Sequence, residues 1–109
     1  MVRIMPQVFR LKDSPGGFLT RRQGEEVRAR LVKLERDLPP NERLVVDFAG
    51  VEVMTPSFAD ECFGKLAESI GGLNFRKRVE LTGADPIIRA LLNSVLAERL
   101  NGSNSQASA

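Results

Sequence analysis

The run Arg43-Leu44-Val45-Val46-Asp47-Phe48 is apolar on consecutive positions rather than alternate ones. That pattern belongs to a strand covered on both faces, the usual setting of a parallel sheet. Parallel neighbours cannot be joined by a tight hairpin. Each connection must cross over, and a helix usually makes the crossing. The chain carries a helical pattern on either side of the run. Upstream, Gly24, Val27, Leu31, Leu34 and Leu38 recur at helical spacing. Thr20 and Gln23 form a capping box at the start of that helix, and Pro39-Pro40 ends it. Gly24 is a costly helix residue, which suggests close approach to a neighbouring strand. Downstream, Ala59, Cys62, Phe63, Leu66 and Ile70 repeat the spacing before Gly71-Gly72 stops it.

The same logic extends outward. Val2 to Lys12 reads as a strand interrupted at Pro6, followed by the turn cluster Ser14-Pro15-Gly16-Gly17. Phe18-Leu19 is a candidate for a short second strand. Arg76 to Leu81 is a further strand. Asp85 then caps a helix with Pro86 at its first position and Ile88, Leu91, Leu92, Val95 and Leu96 on its apolar face. From Asn101 the chain is small and polar and reads as a disordered tail. The expectation is one α/β domain over residues 1–100 and a tail over 101–109. Its sheet is mostly parallel or mixed, with about four strands packed by three helices.

Composition narrows the chemistry. The 109 residues contain no histidine and a single cysteine, and the net charge is +2. Without histidine, the commonest general base and a frequent metal ligand are missing. Cys62 falls on an apolar helix face, so it reads as a core thiol rather than a nucleophile. No phosphate-binding loop pattern is present. These features predict no catalytic residues, no metal, no cofactor and no enzymatic activity. No apolar run approaches the roughly 18–20 residues that span a bilayer, and no signal-peptide core opens the sequence. The expected setting is therefore soluble and cytoplasmic, without a membrane partner. The basic residues between Arg21 and Arg36 are mixed with Glu25, Glu26, Glu35 and Asp37, as on a solvated helix face with i,i+4 pairs. The rival reading is a nucleic-acid adaptor using Arg21, Arg22, Arg28, Arg30 and Lys33. It is disfavoured, since no tryptophan or tyrosine supplies a stacking platform.

Three acids remain. Asp60 and Glu61 lie in the first turn of the second helix, where the macrodipole favours negative charge. They stabilise a helix start or touch a partner. Asp47 sits near the end of an apolar strand and needs donors, which the following loop's N–H groups can supply. The alternative for Asp47 is a receiver-like phosphoaspartate switch. That role needs several acids clustered with a lysine, and Asp13 is the only acid before Glu25.

The stretch RLVVDFAGVEVMTPSFADECFGKL, Arg43 to Leu66, resembles the STAS fold found in sulfate transporters and anti-sigma-factor antagonists. DFAGVEVMTPSFADE, LTRRQGEEVRARL and ELTGADPIIRALLNSVL are similar to an uncharacterised STAS-like bacterial branch, so the likeness reaches Leu100. The resemblance implies a signalling module that binds a protein partner: an anti-sigma factor that is also a GHKL-type ATPase and serine kinase. It places the contact on the loop and helix start at 50–61, with Thr55, Ser57, Phe58, Asp60 and Glu61 as partner-binding candidates. In that family a serine at the helix start is phosphorylated and the complex then dissociates. Carried over by position, the family's aspartate falls on Thr55 and its phosphoserine on Pro56, which has no hydroxyl. Ser57 or Thr55 is then the possible phosphoacceptor, or the domain binds without that switch. Thr55 also suits an N-cap with Pro56 at the first helical position. Phe58 is either core or a contact anchor.

Overall fold

The computed structural model describes residues 7–108. β1 (Gln7–Arg10) leads through a 3-10 turn (Leu11–Asp13) and a loop to α1 (Arg21–Asp37), then to β2 (Leu44–Asp47). A broken helix follows: α2 (Pro56–Ala59), a π-helical turn (Asp60–Gly64) and α3 (Lys65–Ile70). α4 (Gly72–Arg78), β3 (Val79–Thr82) and α5 (Pro86–Ser108) complete the chain. The three strands are parallel, in the order β1-β2-β3. The expected α/β domain with a parallel sheet and packed helices is therefore present.

Among the described residues the sheet has three strands rather than about four, and the reason is local. Phe18-Leu19 forms no strand. Its two carbonyls turn instead to Thr55: Phe18 O accepts from the Thr55 amide at 3.0 Å, and Leu19 O from the Thr55 hydroxyl at 2.7 Å. Val2 to Pro6 lies outside the described residues. Gly71, at φ +96°, does end α3, but the chain re-enters a helix because Phe75 reaches the core from α4. The strand predicted from Arg76 thus begins at Val79. α5 extends as backbone to Ser108, beyond the Leu100 boundary read from composition.

The core lies on one face of the sheet. Leu44 and Val46 of β2 are fully buried there, with Leu31 of α1 and Phe58, Phe63 and Leu66 of the broken helix. Each such side chain contributes about 1.5–3 kcal/mol on burial. Val45 and Asp47, on the opposite face of β2, are only half-buried, so the expected two-sided cover is fulfilled on one side. The rings of Phe18, Phe58, Phe63 and Phe48 form a chain with centroids 5.4, 6.5 and 5.2 Å apart. That chain ties the loop before α1 to the loop after β2.

The broken helix is held between α1 and α5. Gly24 permits the first contact, since a Cβ there would stand 2.8 Å from the carbonyl oxygen of Phe58. The close neighbour is thus a helix, not the strand expected from sequence. Gly64 permits the second: a Cβ there would meet Val95 and Arg99 of α5 at 3.0 Å. Within the π turn, the Lys65 amide donates to the carbonyl of Asp60, five residues back.

Candidate functional site

The joint between β2 and α2 is built from the backbone outward. Phe48 leaves the sheet with its amide bonded to Thr82 O at 2.8 Å. Asp47 Oδ1 then accepts from the Ala49 amide at 2.9 Å, and the Val51 amide closes a turn onto Phe48 O at 3.0 Å. Gly50 holds the third turn position at φ +85°, which a side chain would strain. Val51 and Met54 drop into the core, which leaves Glu52 and Val53 outside. Val53 is 63% exposed. Thr55 then caps α2: its hydroxyl accepts from the Phe58 amide at 3.1 Å while donating to Leu19 O. Pro56 occupies the first helical position, as the sequence predicts.

This geometry sorts the candidate residues. Thr55 is half-buried and its hydroxyl is fully used by the cap and by Leu19. Ser57 is partly exposed, and its hydroxyl makes no hydrogen bond with the described residues. Phe58 is core, fully buried among Phe18 and Phe63, so the contact-anchor reading is corrected. Asp60 and Glu61 face the flanking helices. Arg99 of α5 binds both oxygens of Asp60, Nε to Oδ1 and Nη2 to Oδ2 at 2.8 Å, and Arg21 reaches Oδ2 at 3.1 Å. Glu61 is buried and receives Arg21, Arg28 and Lys65 at 3.0–3.2 Å.

The charges follow from those partners. Hydrogen bonding to Arg99 holds the Asp60 carboxyl at about 2, below the usual carboxylate range, against an opposing effect of burial. Burial pushes Glu61 up, but hydrogen bonds from Lys65, Arg28 and Arg21 together outweigh it and leave the group lowered. Arg21 and Arg99 are raised in turn, each chiefly by its bond to Asp60. Burial raises the Cys62 thiol far from thiolate formation.

The structure also gathers Asp47, Asp13, Lys12 and Arg10 around one depression of about 240 Å³ at the carboxyl ends of β1 and β2. Two acids and a lysine are thus brought together, more than the sequence spacing indicates. One Asp47 oxygen is already committed to the loop, and no group of three potential ligands for a metal occurs among the described residues.

The family model of a STAS-like domain of unknown function (DUF4325) matches residues 23–89, from within α1 to the first turn of α5 and more than half of the chain. The chain belongs to this STAS-like family. No curated protein and no solved structure matches it significantly. The matched part of the STAS-like domain contains the whole joint. Among the described residues no helix is long and apolar enough to cross a membrane.

Several residues around the joint carry no sequence signal of their role. Val53 reads as part of an apolar lead-in, and only the turn at Gly50 reveals that it points away from the core. Arg21 and Arg28 read as members of a solvated face. Their partners lie 33 to 40 positions away on another helix rather than four positions along α1. Lys65 was recoverable, since it stands four residues after Glu61.

Proposed function

We propose that this STAS-like domain is a non-enzymatic interaction module that binds a protein partner through the β2–α2 joint. The observation that supports it most is the contrast within the joint. Its backbone is fixed by the Gly50 turn, the Asp47 bond and the Thr55 cap, yet Ala49, Gly50, Glu52, Val53 and Pro56 are exposed. A rigid surface of this kind loses little conformational entropy on binding. Leu19, 52% exposed, adds apolar area where the preceding loop docks on Thr55.

The partner inferred from the resemblance to anti-sigma-factor antagonists is an ATPase or serine kinase of the anti-sigma type. Ser57 is the phosphoacceptor in this reading. Its hydroxyl is uncommitted, whereas a phosphate on Thr55 would remove the cap and displace Leu19. A phosphate adds about −1.5 to −2 charge, enough to break a contact matched to a neutral hydroxyl.

The test is a pull-down against a purified anti-sigma-type GHKL ATPase, using Val53→Asp and Ser57→Glu. Both variants should fold and lose binding. Intact mass after incubation with that ATPase and ATP should rise by one phosphate, mapped to Ser57. Undiminished binding by both variants would remove the joint as the contact surface.

A further inference from the structure

The start of α1 is fixed beside the start of α2. The Leu19 carbonyl accepts from the Thr55 hydroxyl at 2.7 Å. Farther along, Gly24 stands against Phe58, Glu61 and Cys62. The two helices therefore run the same way, and Arg21 comes level with Ser57, two positions beyond each half of that bond. Asp60 and Glu61 follow Ser57 by three and four residues, so on a helix both carboxylates share its face.

Arg21 bridges those two acids. Its Nη1 donates to Asp60 Oδ2 at 3.1 Å and to Glu61 Oε1 at 3.2 Å. The side chain is 55% exposed, so its guanidinium has room to turn. Both acids can spare it. Asp60 keeps its two bonds from Arg99 at 2.8 Å, and Glu61 keeps Arg28 and Lys65 at 3.0 and 3.1 Å. The other cations of the cluster are harder to transfer. Arg99 also holds Glu68, Arg28 also donates to the Glu61 carbonyl, and Lys65 lies eight residues beyond Ser57.

Resting on the reading of Ser57 as the phosphoacceptor, we propose that Arg21 is the receptor for the phosphate. On modification its guanidinium leaves the Asp60–Glu61 bridge and binds the phosphate oxygens. The modification forms a bond from Ser57 Oγ to the γ-phosphorus of a nucleoside triphosphate and breaks the bond from that phosphorus to its bridging oxygen. The nucleoside diphosphate leaves, and the hydroxyl proton goes to solvent. A phosphate brings about −1.5 to −2 charge onto a face that already holds two carboxylates. Like charges three and four residues apart on a helix repel. A guanidinium presents paired donors that match phosphate oxygens and binds them through charge-assisted bonds. The exchange offsets the new charge where it arises and leaves neither carboxylate unpaired. Arg21 thus decides whether the fold tolerates the modification.

Phosphoserine is installed at position 57 of the full chain during synthesis with a suppressor transfer RNA, so no kinase is needed. Phosphorus NMR follows the second ionisation of the phosphate, which lies near pH 6 in an isolated phosphoserine. It should lie lower in the parent than in Arg21→Ala by at least about half a pH unit. Arg21→Lys should restore part of the difference, and Arg22→Ala, one position along α1, should leave it as in the parent. Guanidinium nitrogen signals of Arg21 should move on modification and show coupling to phosphorus across the new hydrogen bond. The phosphate should change the melting temperature of the parent by less than about 2 °C and lower that of Arg21→Ala by about 3–6 °C. An ionisation unchanged by Arg21→Ala, Arg21 nitrogen signals indifferent to the phosphate, or an equal effect of Arg22→Ala would overturn the proposal. Failure of the phosphoacceptor reading is distinct: it shows as an unchanged intact mass with the ATPase and ATP, whereas failure of the Arg21 receptor shows on the installed phosphate.

Discussion

Arg99 holds Asp60 side-on, with Nε on one carboxylate oxygen and Nη2 on the other, both at 2.8 Å. The pair joins the π turn to α5, and Arg21 extends it to α1. Asp60 titrates at about 2 in the folded protein, against about 3.9 in an unfolded chain. A lowered folded value contributes stability above the unfolded value, and that contribution is lost as pH falls from about 4 through about 2. After solvent screening the contribution is about 1–2 kcal/mol. Asp60→Asn should therefore destabilise the protein by about that much at pH 7 and progressively less below pH 4, measured by urea unfolding at several pH values. A mutant penalty that does not shrink on acidification would show that the carboxylate charge is not what binds the three helices.

Gly24→Ala sets two effects against each other. Alanine is the better helix former by about 1 kcal/mol. Its methyl, however, would lie 2.8 Å from the Phe58 carbonyl oxygen and 3.1 Å from Glu61 Cβ. The obstacle is backbone, so α1 and α2 must separate, at a cost of about 1–3 kcal/mol from overpacking and lost contacts. The clash should win, with a net loss of about 1–2 kcal/mol and a lower melting temperature. Stabilisation by this substitution would place α1 farther from the π turn than the structure does.

Local signals carried most of the fold. The Thr20–Gln23 capping box forms both of its bonds, Thr55 caps with Pro56 behind it, and Asp85 caps α5 through the Ile88 amide. Each is written within four consecutive residues. The π turn was illegible, because a π bond differs from an α bond by a single residue of registration that no hydrophobic period records. The roles of Asp60 and Glu61 were illegible for another reason. Their partners Arg21, Arg28 and Arg99 come from helices far along the chain, and periodicity says which face is apolar but not which charges meet across it. The broad α/β reading therefore succeeded where propensity, caps and turns agree. Of the candidate site residues, Phe58 lies inside and Asp60 and Glu61 are paired across helices, and neither fact is recorded in local spacing.

Arg78 is the fixing point of α1's far end. Its guanidinium bonds the Glu35 carboxylate at 3.1 Å and the carbonyls of Glu35, Leu38, Pro39 and Glu42 at 2.8–3.4 Å. Those carbonyls belong to the last turn of α1 and the loop into β2, where helix carbonyls lack internal partners. Arg78→Ala should cost about 2–3 kcal/mol by leaving several acceptors and one carboxylate unpaired. Arg78→Lys should recover little of it, because an ammonium cannot serve a fork of carbonyls. Hydrogen exchange should quicken at Leu38 and Glu42 in both variants. Full rescue by lysine would reduce the site to a simple ion pair with Glu35.

Thr55 and Ser57 stand two residues apart and should answer differently to removal of their hydroxyls. Thr55 Oγ1 accepts from the Phe58 amide and donates to Leu19 O, so Thr55→Val breaks a cap and the docking of the preceding loop together. The expected loss is about 1–2 kcal/mol, accompanied by greater mobility of Phe18 and Leu19 in solution NMR. Ser57 makes no such bonds, and Ser57→Ala should change stability by less than about 0.5 kcal/mol. Partner binding separates them further. Ser57→Ala should keep the complex and abolish any release by ATP, whereas Thr55→Val should weaken the complex roughly in proportion to its loss of order. A Ser57→Ala variant that still releases its partner when ATP is added would place the switch at another residue. A Thr55→Val variant as stable as the parent would mean that α2 begins without its cap.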